Sequence, residues 1–273
     1  MIKLIAADLD GTLLDSHKQL PAALPDLLRQ LRARGIRFMP ASGRQYYNLA
    51  ALFPESAQEL LFIAENGAMT VDCGHTLFVD DIPPADLVQP IALTRQAPHT
   101  YAILAGEHSA YCEDDDPVFM ENAQMYYARL ERVPDLLEAA QHDRICKIAV
   151  FEHGNAEKGC YPLLKPLEKR FQVVLSGADW VDLMNPGVNK GTAMQKIQKA
   201  LGILPEECMA FGDYLNDKEL LEAVTHSFAM ANAHPALKAR HIAPSNDEDG
   251  VVRAVWSYLG LGQEMMEKET NMH

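Results

Sequence analysis

The chain has 273 residues, 48% of them hydrophobic and 23% charged, and carries a formal net charge of −14. That length suggests one large domain or two smaller ones, with enough apolar residues for a full core. The acidic balance argues against a nucleic-acid surface, which needs a basic face, so an anionic substrate would need a cation or a few placed Lys and Arg side chains.

Short apolar runs alternate with helical patterns, the mark of an α/β fold with a parallel sheet and crossover helices. "KLIAADL" (3–9) predicts a first strand. "PDLLRQLRARG" (25–35) predicts a helix with Leu27, Leu28 and Leu31 on one face and Gly35 at its stop. "IRFMPAS" (36–42) and "LLFIAEN" (60–66) predict the second and third strands, and a hairpin of 68–72 and 76–80 turns around Gly74. At "DDIPP" (80–84) the texture changes, and the paired prolines predict a hinge.

From about residue 85 to 184 the strands read as antiparallel: 100–105, 109–113, 147–152, 171–176 and 180–185, with helical stretches such as "DLLEAAQ" and "YPLLKPLEKR" between them. "NPG" (185–187) is a second breaker and a second predicted hinge. The α/β rhythm then resumes with a helix at 190–201, a strand at 208–213, a helix at 216–224, a strand at 227–232 and a closing helix at 249–260. The Met-rich end, 264–273, is expected to fray. The expected architecture is one α/β core, 1–83 and 186–273, interrupted by an inserted α+β domain, 84–185.

The cysteines, Cys73, Cys112, Cys146, Cys160 and Cys208, are odd in number and form no C-x-x-C, as expected of reduced thiols in a cytoplasmic protein. The histidines show no zinc spacing, the N-terminus is charged too early for a signal peptide, and no apolar run is long enough to span a membrane.

Ligands of open parallel sheets bind beyond the carboxyl ends of the strands. The first predicted strand ends in Asp8 and Asp10, and the second in Ser42, Gly43 and Arg44. The strand near 211 ends in Gly212 and Asp213, with Asn216 and Asp217 just beyond, and Lys190 opens a helix. Convergence of Asp8, Asp10 and Asp213 would demand a cation, because three carboxylates stay ionised together only when neutralised. Oxygen-only ligands select a hard ion, magnesium above all. A carboxylate beside magnesium can attack phosphorus, and a second one two residues on can protonate the leaving oxygen and later deprotonate water. Ser42, the Gly43 amide and the Lys190 ammonium would hold the non-bridging phosphate oxygens.

"DLDGTLLD" (8–15), "ASGR" (41–44), "NKGTA" (189–193) and "FGDYLND" (211–217) resemble, in order, the four motifs of the haloacid dehalogenase superfamily. "AENGA" (64–68), "NPGVNKG" (185–191), "AMANAHPALK" (229–238) and "SNDEDGV" (245–251) resemble its Cof-type branch, which inserts a cap between the second and third motifs. The resemblance implies a Rossmann-like core with a class IIB cap, magnesium dependence and hydrolysis of small phosphate esters such as sugar phosphates or related metabolites. It makes Asp8 the nucleophile and Asp10 the general acid and base. Ser42 and Lys190 bind phosphate, and Asn216 supports that pocket. Asp8, the Asp10 carbonyl and Asp213 ligate magnesium, with Asp217 behind them or acting through a water. Ser42 stands where Thr is commoner, which keeps the hydroxyl. Tyr214 stands where small residues are common, which would narrow the mouth of the site.

Blander readings go with other features. "EDDD" (113–116) reads as a solvated acidic loop rather than a second metal cluster, Tyr126 and Tyr127 as packing residues or lining of the substrate pocket, His17 as an exposed loop histidine and Arg44 as a surface or ion-pair residue. A phosphomutase on the same core would use the same residues but exclude water. A phospho-Asp switch shares the Asp, Ser and Lys, yet such modules are about half this length and have no use for the D-x-D proton shuttle. The leaving group is not legible, since cap side chains set it.

Overall fold

The computed structural model describes residues 1–261; the predicted fraying of 264–273 lies outside them. The chain opens with β1 (Leu4–Asp8), α1 (Leu24–Ala33), β2 (Arg37–Ala41), α2 (Tyr46–Ala51), β3 (Leu61–Ala64), β4 (Met69–Asp72) and β5 (His75–Val79). There follow α3 (Pro84–Gln96), β6 (Tyr101–Gly106), β7 (Ala110–Cys112), α4 (Pro117–Tyr126), β8 (Leu130–Arg132), α5 (Leu136–Ala139), β9 (Ile145–Phe151), α6 (Cys160–Leu164), β10 (Gln172–Leu175) and β11 (Trp180–Met184). The chain continues through α7 (Lys190–Leu201), β12 (Cys208–Gly212), α8 (Lys218–Glu222), β13 (His226–Met230), β14 (His241–Ala243) and α9 (Gly250–Leu259). Among the described residues two units result: 1–42 with 190–261, and Gly43–Asn189.

In the first unit the strands lie in the order β14, β13, β12, β1, β2, all parallel. Every residue of β1 is buried, as an apolar run covered on both faces should be. On α1, Leu24, Leu27 and Leu31 recur at helical spacing and are the buried residues, while Leu28 is only half-buried. Asp8 pairs in register with Ala41 of β2, and Ala7 with Phe211 of β12. The carboxyl ends of β1, β2 and β12 therefore align, and the loops leaving these strands start from one edge of the sheet.

In the second unit β3, β4 and β5 form an antiparallel run. A six-stranded sheet has the order β10, β11, β9, β6, β7, β8, antiparallel except for β7 beside β8. Its strand β9 is buried throughout, and its alternate residues go to different cores. Ile148 and Val150 pack with Leu87, Ile91 and Leu164, while Ala149 and Phe151 pack with Ile103, Phe119 and Trp180. The elements α3 to β11 run from Pro84 to Met184. The two predicted hinge segments touch: Asn185 Nδ2 donates to Asp80 Oδ1 and to the Asp81 carbonyl, both at 2.9 Å.

The structure corrects some local expectations. The predicted helix 216–224 is a 3-10 turn, Leu215–Asp217, followed by the short α8. Helices α2, α3 and α4 and strands β8 and β14 were not foreseen. The prolines of "DDIPP" read as breakers, yet Pro84 sits at the start of α3, where its missing N–H costs nothing, and α3 also holds a buried Pro90. No described helix is long and apolar enough to cross a membrane, and the cysteines are free, four of them buried.

Candidate functional site

β1 places Asp8 at its last position, buried at 6% exposure. The chain must then turn sharply. Gly11 adopts φ +84°, and a Cβ there would stand 2.5 Å from Asp213 Oδ2, so both its conformation and its lack of a side chain are needed. The turn closes with Leu13 and Leu14 amides donating to the Leu9 carbonyl. Thr12 Oγ1 donates to Asp213 Oδ1 at 2.9 Å. Asp10 is half-buried, and Lys18 Nζ lies 2.9 Å from its Oδ1. Ser42, just after β2, is buried, and Gly43 beside it is half-buried.

Lys190 opens α7 and is only 1% exposed. Its ammonium donates to Asp8 Oδ1 at 2.5 Å and to Asp217 Oδ1 at 2.6 Å. The other Asp217 oxygen accepts from the Asp213 amide at 3.1 Å and the Tyr214 amide at 3.2 Å. Asp217 thus holds both the lysine and the loop that carries Asp213. Gly212 leaves room for it, since a Cβ there would stand 2.5 Å from the Asp217 Cβ.

One oxygen from each of Asp8, Asp213 and Asp217 lies within 4.8 Å of the others. Burial, then the Asp217 charge, pushes the Asp8 carboxyl up to about 8 against the opposing pull of Lys190. Burial also raises Asp213, with the Thr12 hydroxyl pulling the other way. Burial alone would lower the Lys190 amine, but Asp8 and Asp217 outweigh it and hold the ammonium charged. Three carboxylates against one ammonium leave an excess of negative charge in a desolvated place, which a cation relieves. The donor set is oxygen throughout, with no His or Cys in it, and so fits a hard divalent ion.

The other expected residues differ in exposure and partners. Asn216 is exposed on the 3-10 turn, and Tyr214, 56% exposed, meets the His234 ring edge-on at 5.5 Å. Arg44 Nη1 donates to Asn48 Oδ1 at 3.4 Å. The acidic stretch 113–116 is engaged in structure: Glu113 and Asp115 pair with Arg95 and Arg132, and Asp116 caps α4. Tyr126 packs edge-on against Trp180, and Tyr127 is buried.

Sequence reasoning missed three supporting residues. Thr12 lies inside the first motif, where the carboxylates draw the attention. Asn232 Nδ2 donates to the Gly11 carbonyl at 2.8 Å, its Oδ1 accepts from the Asn246 amide at 3.1 Å, and Asn246 Nδ2 donates to the Leu14 carbonyl at 3.0 Å. These asparagines hold the 11–14 turn from two of the stretches that resemble the Cof-type branch, and that resemblance is the signal that could have found them.

Residues 5–255 match the family model for haloacid dehalogenase-like hydrolases. The chain is 35% identical over 264 residues to 5-amino-6-(5-phospho-D-ribitylamino)uracil phosphatase of Escherichia coli K12, covering 93% of this chain and 95% of that one. It is 31% identical over 242 residues to the HMP-PP phosphatase of Cronobacter sakazakii, covering 88% of each. A crystal structure of a haloacid dehalogenase-like hydrolase from Bacteroides thetaiotaomicron superposes with a TM-score of 0.85 at 25% identity, over 94% of this chain and 100% of that one. With Asp8, Asp213, Asp217 and Lys190 gathered at one point and a match along nearly the whole length, the chain belongs to the haloacid dehalogenase-like hydrolases, in their Cof-type phosphatase branch.

Proposed function

We propose that the chain is a magnesium-dependent phosphatase for small phosphate monoesters, working through an aspartyl-phosphate on Asp8. One observation carries the reading: Asp8, Asp213 and Asp217 meet at one point, with Lys190 on two of those carboxyl groups, Asp8 and Asp217. Bound magnesium supplies charge neutralisation for these carboxylates and for the phosphoryl oxygens, and Asp8, Asp213 and the Asp10 carbonyl would hold it.

The chain's own groups do the rest. A carboxylate oxygen of Asp8 attacks phosphorus as the bond to the leaving oxygen breaks, and protonated Asp10 gives its proton to that oxygen. Asp10, now a carboxylate, takes a proton from water, whose oxygen attacks phosphorus and frees Asp8 and inorganic phosphate. Lys190, Ser42 and the Gly43 amide would bind the non-bridging oxygens, with Asn216 supporting that pocket. Asp217 holds Lys190 and the 213–214 amides. Residues 84–185 form the specificity cap, with hinges at 80–84 and 185–187. The free cysteines fit a cytoplasmic enzyme.

The relatives named as phosphatases of 5-amino-6-(5-phospho-D-ribitylamino)uracil and of HMP-PP direct the choice of substrate toward small phosphorylated metabolites. The test is phosphate release over a panel that begins with those two compounds and sugar phosphates, with magnesium and with EDTA. Magnesium-dependent release from at least one member is expected. No release from any member, or release indifferent to EDTA, sinks the reading.

A further inference from the structure

Lys147, near the start of β9, lies outside all four motifs and is 4% exposed. Its ammonium sits 2.5 Å from Glu65 Oε2 and 4.0 Å from Asp182 Oδ2, and 5.5 Å from the centre of the buried Tyr127 ring. Glu65 is 1% exposed and Asp182 7%. A buried ion pair is poor evidence of stabilisation, because apolar residues of the same volume often serve as well. The cluster therefore calls for another role, and its surroundings indicate one.

Lys147 Nζ donates to the Gly43 carbonyl at 3.3 Å. The neighbouring turn is held from the other side too. The Glu65 amide donates to the Arg44 carbonyl at 3.1 Å. The Asn66 side chain lies over Gly43 so closely that a Cβ there would come within 2.9 Å of its Nδ2 and Oδ1. Both Glu65 and Asn66 keep a left-handed backbone, φ +49° and +54°, which residues other than glycine rarely adopt. Such conformations persist where the surroundings impose them, and they gather at functional sites. Three independent contacts, from Lys147, Glu65 and Asn66, thus converge on the two residues after Ser42.

We propose that Lys147 is a positioning residue for phosphate binding: by pinning the Gly43 carbonyl, it fixes the peptide planes of the turn that begins at Ser42. The Gly43 carbonyl shares a planar peptide unit with the Arg44 amide, so holding it aims that amide directly and fixes the Gly43 backbone torsion that relates this plane to the one carrying the Gly43 amide. Glu65 and Asp182 keep the lysine charged and hold its head in place. Burial alone would lower its proton affinity, and the two carboxylates with Tyr127 more than reverse that. The inference rests on the phosphatase reading, since it takes Ser42 and Gly43 as phosphate ligands.

The test compares wild type with Lys147→Met/Glu65→Gln, which removes one positive and one negative charge and so leaves the net charge of the cluster unchanged. Turnover of para-nitrophenyl phosphate, inhibition by inorganic phosphate and half-saturation by magnesium are measured together with the melting temperature. A displaced phosphate-binding turn raises KM and the phosphate inhibition constant together, by about tenfold, as losing a group that orients a ligand commonly does, and leaves magnesium half-saturation unchanged. A purely structural role lowers melting temperature and kcat with KM and the inhibition constant untouched, and that result overturns the proposal. If the double variant does not fold, Glu65→Gln is measured instead: the same two constants rise together if Lys147 positions the turn, and stay at wild-type values if it does not. A wild type that neither hydrolyses the aryl phosphate nor binds phosphate overturns the phosphatase reading and this inference with it. An active wild type with unchanged inhibition in the variant overturns this inference alone.

Discussion

Thr12 donates a hydrogen bond to Asp213 across 201 positions of chain, at 2.9 Å. It orients the Asp213 carboxylate, a proposed magnesium ligand, and ties the turn after β1 to the loop after β12. Replacing Thr12 with Val keeps the shape and removes the donor. Groups that orient metal ligands typically contribute about 10–100-fold to affinity or activity, so magnesium half-saturation should rise by about tenfold. A titration of activity against magnesium checks this, and an unchanged midpoint refutes the role given to Thr12.

Asp8→Asn removes the proposed nucleophile and should lower kcat on the order of a thousandfold or more, as loss of a covalent catalyst does. The folded protein should not suffer. Burial and Asp217 already disfavour a charged Asp8, so a neutral amide relieves repulsion. Melting temperature without added metal is expected to stay level or rise. A large drop would mean that Asp8 is needed chiefly for folding.

Magnesium should stabilise the protein as well as activate it. Three buried or half-buried carboxylates near one ammonium favour the bound state over the unfolded chain. At a hundredfold excess over its dissociation constant an ion that binds only the folded state adds about 2.7 kcal/mol. Thermal unfolding with EDTA and with graded magnesium reads this directly, and Asp213→Asn should abolish most of the shift.

Stability should fall in strongly alkaline solution through Lys147. Its folded-state proton affinity is well above the ordinary lysine value of 10.5, in spite of burial, because Asp182, Glu65 and Tyr127 face it. A group so raised contributes stability that is complete below its unfolded value and lost as pH rises past it. The melting temperature of wild type should therefore drop more steeply above about pH 10.5 than that of Lys147→Met/Glu65→Gln. Parallel curves would show that the lysine titrates alike in both states.

The parts of the fold legible in the sequence are those where one physical signal dominates. The apolar run before Asp8 is a strand buried on both faces, and the carboxylates and glycines after it mark where the chain turns. Lys190 and Asp217 are assigned near phosphate and metal by resemblance, but their mutual contact was not foreseen, since it depends on how α7 meets the loop after β12. Helix α3 escaped because proline is a breaker in general and harmless at a helix start in particular. Strand β8, "LER", carries no apolar pattern and owes its form to pairing with β7. The Lys147 cluster was invisible for a deeper reason. Glu65, Lys147 and Asp182 are ordinary charged residues at distant positions, and only the folded chain brings them together.

The central claim is that Asp8 becomes phosphorylated during turnover. Asp10→Asn lacks the acid of the first half-reaction and the base of the second. With para-nitrophenyl phosphate, whose leaving group needs no proton, chiefly the second is slowed, so acid quenching of that variant at steady state should trap an acyl phosphate. Peptide mapping of the quenched protein is expected to place the phosphoryl group on Asp8. Label on another residue would contradict the account, as would full turnover by Asp8→Asn.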